Sequence, residues 1–332
     1  MDLIPIVDIL REKKGRWKEA HLILFELCNM RCSFCHQDHE SKVGVDRDLV
    51  IDKVSKLLET THPDTAMVVN FTGGELFMDD IDDDLFETYY QAGKMVLEHF
   101  RDVKLVFGTN LIYRDTNRVR HLIESLKVID ERVSLATSYD PAGRFNPQQR
   151  ELFFKNLEAV GDLVKTVNVV ITKQNIQIFL DGKEGEEFAE MCDRYDVYFD
   201  HYIPSQMYMH HQPDEDLIST MYIALNNKYP NSYPIKDWKD NVINETTCRS
   251  TKIINKDGVI STCWSEAGKD AILDEAEGLR AKDAAEIAFV EHYGCFECEY
   301  YARCGLRCFL HDTVLGDKSK VCSIREMFKV VL

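Results

Sequence analysis

No stretch of this chain stays apolar for the roughly 20 residues that a bilayer-spanning helix requires. The opening residues, Met1-Asp2-Leu3-Ile4-Pro5, lack a basic region followed by an apolar core, so no secretory signal is expected there. Basic charge is also scarce: 40 Lys and Arg stand against 57 Asp and Glu, a net charge of −17. That disfavours a nucleic-acid partner, which calls for a basic surface, although a local basic patch can survive an acidic total. There is no low-complexity tract and no repeat beyond an alternation of strand and helix patterns. The 332 residues, 45% hydrophobic, suffice for one large domain plus a smaller one.

Cysteine is what the chain has in excess. Eleven cysteines without a secretion signal, odd in number and tightly grouped, favour metal ligation over disulfides. Such thiolates oxidise easily, so a reducing cytoplasm is the expected compartment. Cys28-Asn29-Met30-Arg31-Cys32-Ser33-Phe34-Cys35 places three thiols in eight residues, spaced C-x3-C-x2-C. Three thiolates this close can wrap one iron–sulfur cubane and leave one iron without a protein ligand. An open position on a metal is where a substrate or cofactor binds. The spacing differs from that of ferredoxins, which supply a full cysteine set for electron transfer. A zinc site remains an alternative on spacing alone.

Strand and helix patterns alternate from residue 21. Strands are expected at 21–27, 66–72, 103–108, 132–138, 164–171 and 197–203, with helices at 46–59, 83–100, 115–127, 147–160 and near 185–195. Six such units imply parallel βαβ connections in a doubly wound sheet or a barrel. Residues 1–20 read as a lead-in, an edge strand or a helix. After Pro204 the pattern breaks into a polar bridge, 205–247, with a helix near 215–227, and 248–332 form a cysteine-rich end. The acidic run at 79–84 reads as a solvated helix start that suits the helix dipole, and His201, His210 and His211 read as surface or bridge residues.

The cysteine loop, with an aromatic before its last cysteine, resembles that of the radical S-adenosylmethionine (SAM) enzymes. The resemblance implies an α/β partial (β/α)6 TIM-type barrel over residues 21–204, with Cys28, Cys32 and Cys35 holding a 4Fe–4S cluster whose open iron is chelated by SAM. An electron then splits SAM into methionine and a 5′-deoxyadenosyl radical that abstracts hydrogen from the substrate. Thr72-Gly73-Gly74-Glu75, after the second strand, is similar to the family turn that holds the SAM ammonium, and two glycines also permit close backbone approach to a ligand. The resemblance further implies cofactor contacts from Phe34, from Thr109 and Asn110 after the third strand, and from Ser138 after the fourth. Asp140 either joins the site or caps a turn, and Asn168 is a softer candidate. Leu111 replaces the final Gly of the family's Thr-Asn-Gly. Asp200 and Tyr202 are read as structural, with a substrate-facing role as the alternative.

The C-terminal spacing Cys248-x9-Gly258-x4-Cys263, then Cys295-x2-Cys298-x5-Cys304-x3-Cys308 and Cys322, resembles the SPASM extension of these enzymes. The resemblance implies two auxiliary 4Fe–4S clusters, hence three in all. Cys295, Cys298, Cys304 and Cys322 hold the outer one, and Cys248, Cys263 and Cys308 the inner one. Residues 241–245 carry no cysteine, so a non-cysteine ligand or an open iron is expected on the inner cluster. Lys256-Asp257-Gly258 reads as a hairpin turn between strands at 251–255 and 259–262. Cys192 is left as a buried helix thiol.

These likenesses imply an oxidoreductase or maturase, with a peptide or protein substrate as in maturases of sulfatases and ribosomal peptides, and a reductase such as flavodoxin or ferredoxin as partner. Trp264 after Cys263 departs from the sulfatase-maturing pattern, which has Asp there, with Glu266 as a candidate substitute base. Only 27 residues precede Cys28, too few for the extra peptide-binding domain of many peptide-modifying relatives. That favours the alternative of a radical SAM dehydrogenase acting on a small molecule such as a sugar or aminocyclitol. A non-catalytic iron–sulfur or zinc scaffold is a further alternative, against which the complete Gly73-Gly74-Glu75 turn argues.

Overall fold

The computed structural model describes residue 17 to the C-terminus except residues 36, 43–44, 203–209, 241–250, 262–283, 285–286, 289, 302–303 and 305–321. The first part alternates strand and helix as the periodicity requires: β1 (Lys18–Ile23), α1 (Arg47–Glu59), β2 (Met67–Thr72), α2 (Asp83–His99), β3 (Val103–Thr109), α3 (Thr116–Lys127), β4 (Val133–Ser138), α4 (Pro147–Val160) and β5 (Val164–Ile171). Two helices, α5 (Lys173–Leu180) and α6 (Glu186–Arg194), then lead to β6 (Asp196–His201). Beyond lie α7 (Glu215–Lys228), α8 (Ile235–Lys239), β7 (Thr251–Ile254), β8 (Ile260–Ser261) and α9 (Ser323–Val331).

Among the described residues, short polar side chains start six of these nine helices. Asp46, Asp82, Asp115, Asn146, Thr172 and Asp214 each accept a hydrogen bond from a first-turn amide, and Asn146 with Gln149 closes a capping box. The acidic run thus ends in the cap and first turn of α2.

The strands form one sheet in the order β6-β5-β4-β3-β2-β1-β7-β8, parallel throughout except for β7 with β8. From β1 to β6 each strand lies beside its predecessor, always in the same direction. Right-handed crossovers then place all the connecting helices on one face. A doubly wound sheet needs a reversal of strand order, and β1 to β6 contain none, so the arrangement is that of a partial barrel. Residue burial follows the same logic. Leu22, Val69, Phe71, Leu105, Phe107, Leu135, Val167 and Val169 are fully buried under the helices, and each such side chain contributes about 1.5–3 kcal/mol when removed from water. Alternate residues on the other face, including His21, Asn70, Ser134, Ser138, Asn168 and Tyr198, are polar and half-buried.

Several boundaries differ from the expected ones for tertiary reasons. The first strand ends at Ile23, because beyond it the chain bonds to the turn after β2: Leu24 N–H donates to Thr72 O and Phe25 O accepts from Gly74 N–H. Lys18–Ala20, at the end of the lead-in, belong to an interior strand flanked by β2 and β7, so they are neither edge nor helix. Helix α5, which the strand and helix pattern did not anticipate, follows β5 directly; Thr172 caps it through Asn175 N–H at 3.1 Å. The hairpin forms around Gly258 (φ +77°), with Asn255 Oδ1 accepting from Asp257 and Val259 N–H, and its first strand also pairs in parallel with β1. Helix α9 closes on α7 and α8, Phe328 meeting Trp238 at 4.9 Å and Tyr300 at 5.2 Å between ring centroids.

Candidate active site

The cysteine loop leaves the C-terminal end of β1, the end at which barrels place their active sites. Cys28, Cys32 and Cys35 are free and half-buried. Cys28 Sγ accepts from Met30 N–H at 3.4 Å and from Asn110 Nδ2 at 3.7 Å. Burial, with Glu75 and the other two sulfurs adding to it, pushes the Cys28 thiol up to about 11. Burial likewise lifts Cys35 to about 11 and raises Cys32, on which nearby Arg144 acts in the opposite sense. The iron-free thiols are therefore protonated at neutral pH, and loading iron must release their protons.

The turn after β2 is pressed against the chain that leads into this loop. Gly74 N–H donates to Phe25 O at 2.8 Å and Glu75 N–H to Leu27 O at 3.0 Å. A Cβ on Gly73 would overlap the Phe25 carbonyl oxygen, and one on Gly74 that of Leu27. The two glycines therefore admit the approach of the protein's own backbone to within the reach of the cysteines. Glu75 is completely buried. Its carboxylate accepts from Phe77 N–H (3.0 Å), the Thr109 hydroxyl (2.9 Å) and Asn110 N–H (2.5 Å). Burial outweighs these donors and raises its pKa to about 7.

Thr109 and Asn110 end β3. Besides Cys28, Asn110 Nδ2 reaches Asn29 Oδ1 at 2.9 Å, and Asn29 Nδ2 donates to Ile112 O at 2.5 Å. Leu111 adopts φ +60°, the left-handed conformation that glycine takes without cost. Asn156 on α4 holds it there, donating to Leu111 O at 2.8 Å and Tyr113 O at 2.7 Å. The shape that Gly would permit is thus kept by a leucine locked in the core.

Ser138 ends β4 half-buried, and Asn168 lies on neighbouring β5 in register with it. Asp140 is buried. It accepts from Val170 N–H and Asn175 Nδ2, tying β5 and α5 to the turn, and from Arg144 Nε at 2.6 Å. Arg144 in turn lies 5.6 Å from the centroid of the Phe34 ring. Gly143 O accepts from Ser33 N–H at 2.8 Å, joining this loop to the cysteine loop. Phe34 is 6% exposed. Tyr202 donates to Phe34 O at 3.2 Å, and His211 Nε2 lies 2.9 Å from Ser33 O.

Sequence reasoning missed Arg144, Asn156 and His211. Arg144 and Asn156 carry no local pattern that marks them. His211, read as a bridge residue, is 2% exposed and packed edge-on to Phe34 at 6.5 Å, whereas His210 is exposed. Asp200, at the end of β6, has a carboxyl raised to about 7 by surrounding protein, with Glu19 and Asp140 adding to the effect.

The C-terminal cysteines divide at the limits of the described residues. Cys295, Cys298, Cys304 and Cys322 are free; Cys295, Cys304 and Cys322 join a small apolar cluster with Val290 and Tyr293, and Cys298 stands close enough to Cys295 to act on its thiol. Burial lifts Cys295 to about 12, with Cys322 and Cys298 contributing, and raises Cys304 by the same causes. Cys248, Cys263 and Cys308, the stretch 241–245, Trp264 and Glu266 lie outside the described residues. Cys192 is half-buried on α6. Among the described residues no three His, Cys, Asp or Glu side chains stand together as ligands of one metal ion. Sulfur donors spread along a loop, with amide N–H groups aimed at one of them, suit a polynuclear iron–sulfur group, whose ligands stand farther apart than those of a single ion.

The fold is shared with solved proteins that bind AdoMet (SAM) or a peptide. Among solved structures, native anSMEcpe with bound AdoMet (SAM) and the Cp18Cys peptide superposes with TM-score 0.63 at 13% identity, covering 95% of each chain. Streptococcus suis SuiB bound to its precursor peptide SuiA gives TM-score 0.55 at 15% identity, over 96% of this chain and 77% of that one. In sequence, 77 residues are 40% identical to 7-carboxy-7-deazaguanine synthase of Bacteroides thetaiotaomicron. That match spans 23% of this chain and only 38% of the synthase. No family model matches the chain. Among the described residues no helix is long and apolar enough to cross a membrane.

Proposed function

We propose that this chain is a radical SAM enzyme whose Cys28, Cys32 and Cys35 hold a 4Fe–4S cluster with one iron left to SAM. The observation that carries the reading is a loop with three free thiols at the mouth of a partial barrel, whose lead-in backbone is bonded to the Gly73-Gly74-Glu75 turn and whose Cys28 meets Asn110. Such a cluster supplies the electron that cleaves SAM to the 5′-deoxyadenosyl radical. This chain's own residues bind and orient. Gly73 and Gly74 set the turn beside the cysteines, and Glu75, the residue proposed to take the SAM ammonium, orders Phe77, Thr109 and Asn110 around the turn. Phe34, Thr109, Asn110, Ser138, Asp140 and Asn168 complete the SAM site. Cys295, Cys298, Cys304 and Cys322 hold an outer auxiliary cluster, and Cys248, Cys263 and Cys308 an inner one. The proposed domain limits are barrel 21–204, extended back to Lys18 by the start of β1, bridge 205–247 and cysteine-rich extension 248–332.

A peptide is the proposed substrate, supported by the peptides bound in two solved neighbours. Electrons come from a flavodoxin- or ferredoxin-type reductase. A small-molecule substrate is the second reading, favoured by the partial match to a deazaguanine synthase. The test is anaerobic incubation of reconstituted, dithionite-reduced protein with SAM. We expect 5′-deoxyadenosine, abolished in Cys28→Ala and Cys35→Ala. A chain that carries its iron and produces none would falsify the reading.

A further inference from the structure

The four-residue turn Cys32-Ser33-Phe34-Cys35 is closed by Cys35 N–H donating to Cys32 O at 3.1 Å. Both central carbonyls of this turn are held by side chains from outside it. Tyr202, just past β6, donates its hydroxyl to Phe34 O at 3.2 Å. His211 Nε2 stands 2.9 Å from Ser33 O; a carbonyl only accepts, so Nε2 carries the hydrogen. The two rings pack together, 6.2 Å apart at 72°, and His211 meets Phe34 edge-on. Tyr202 and His211 are 6% and 2% exposed. On the opposite side Gly143 O accepts Ser33 N–H.

A peptide unit is planar, so the C=O of one residue and the N–H of the next point in opposite directions. Fixing Ser33 O therefore also fixes the direction of Phe34 N–H, and fixing Phe34 O fixes that of Cys35 N–H. The first of these amides lies between the second and third cysteines, and the second is the one that closes the turn on Cys32 O. Amide direction around cluster sulfurs is one of the means by which a protein sets a cluster's potential and its ligands' orientation.

We infer that Tyr202 and His211 are positioning residues that clamp the turn between Cys32 and Cys35 and thereby set the electronic environment of the group those cysteines hold. The inference rests on the proposed function for its cofactor, but the clamp itself acts in the iron-free chain as well. Neither side chain touches the cysteines' sulfurs, and neither was marked by the cysteine pattern.

The test uses the full chain with Tyr202→Phe, His211→Ala and His211→Gln. Tyr202→Phe removes one oxygen and leaves the ring, so the fold survives. In the iron-free chain we expect amide exchange at Phe34 and Cys35 to quicken about 5- to 10-fold in Tyr202→Phe and His211→Ala, the loss of one net hydrogen bond, while exchange in β2 and β3 is unchanged. In the reconstituted chain we expect full iron content, a shifted electron paramagnetic resonance spectrum of the SAM-site cluster, and SAM binding weakened by a similar factor. His211→Gln, whose amide can still donate to Ser33 O, restores both. Wild-type exchange and spectra in Tyr202→Phe and His211→Ala would overturn the inference, as would His211→Gln behaving like His211→Ala. If the wild-type chain holds no SAM-binding cluster, the proposed function fails while the exchange experiment still decides the clamp.

Discussion

Glu75 keeps a carboxyl in a fully buried site, and burial holds its pKa at about 7 against 4.5 in an open chain. Between those values the folded state binds the proton and the unfolded state has lost it, so stability falls as pH rises from about 4.5 to 7. The contribution is complete below that window and gone above it. At 1.36 kcal/mol per unit the effect is of the order of 3 kcal/mol. Urea unfolding of the iron-free chain at pH 5 and pH 8 should show this loss, and Glu75→Gln should flatten it; equal slopes in the two proteins would refute the assignment. Leu111 illustrates another cost at the same scale. A left-handed non-glycine residue gives up about 1–2 kcal/mol, here sustained by complete burial and by Asn156 on its carbonyl. The Asn-Leu sequence could not reveal this, because the restraint comes from a helix 45 residues away.

At the scale of elements, the joining of the β2 turn to the cysteine loop is the feature on which the site depends. Three backbone hydrogen bonds run between residues 24–27 and 72–75, at a distance that leaves no room for a side chain on Gly73 or Gly74. Gly74→Ala forces the Leu27 carbonyl away and with it the start of the cysteine loop. We expect a loss of about 2–4 kcal/mol and poor iron incorporation, measured by denaturant midpoint and iron per chain. Normal iron content in this variant would show that the two segments are not coupled. The acidic run, by contrast, behaves as its local chemistry requires: Asp82 caps α2 while Asp83 and Asp84 lie in its first turn.

For the whole molecule, the hairpin strand β7 beside β1 is the decisive connection. It makes the strand that delivers Cys28 also the strand against which the C-terminal part begins. Lys56 Nζ strengthens the junction by reaching Gly258 O at 3.2 Å, and Lys53, buried on the same helix, donates to Leu24 O at 2.5 Å. Farther on, Cys322 precedes α9, whose Phe328 and Ser323 fasten it to Trp238 and Asp216. Because metal binding to preformed thiols adds directly to stability, removing iron from the reconstituted protein with a chelator should lower Tm by about 5 °C or more. It should also open the chain around Cys295 and Cys298 to limited proteolysis before the barrel. An unchanged Tm and digestion pattern would show that these cysteines do not ligate iron.

Sequence alone determined the order of the six parallel strands, the helix caps and the spacing within each short run of cysteines, since each depends on residues within a few positions of one another. The likeness of those spacings to a known enzyme class was legible for the same reason. Only the tertiary structure decided that the sheet runs on from β1 into β7, that Glu75 orders Asn110, that Asp140 holds Arg144 beside Phe34, and that Tyr202 and His211 grip the cysteine turn. Each of those contacts joins side chains or strands whose meeting depends on how the barrel closes around them, and no local spacing encodes that.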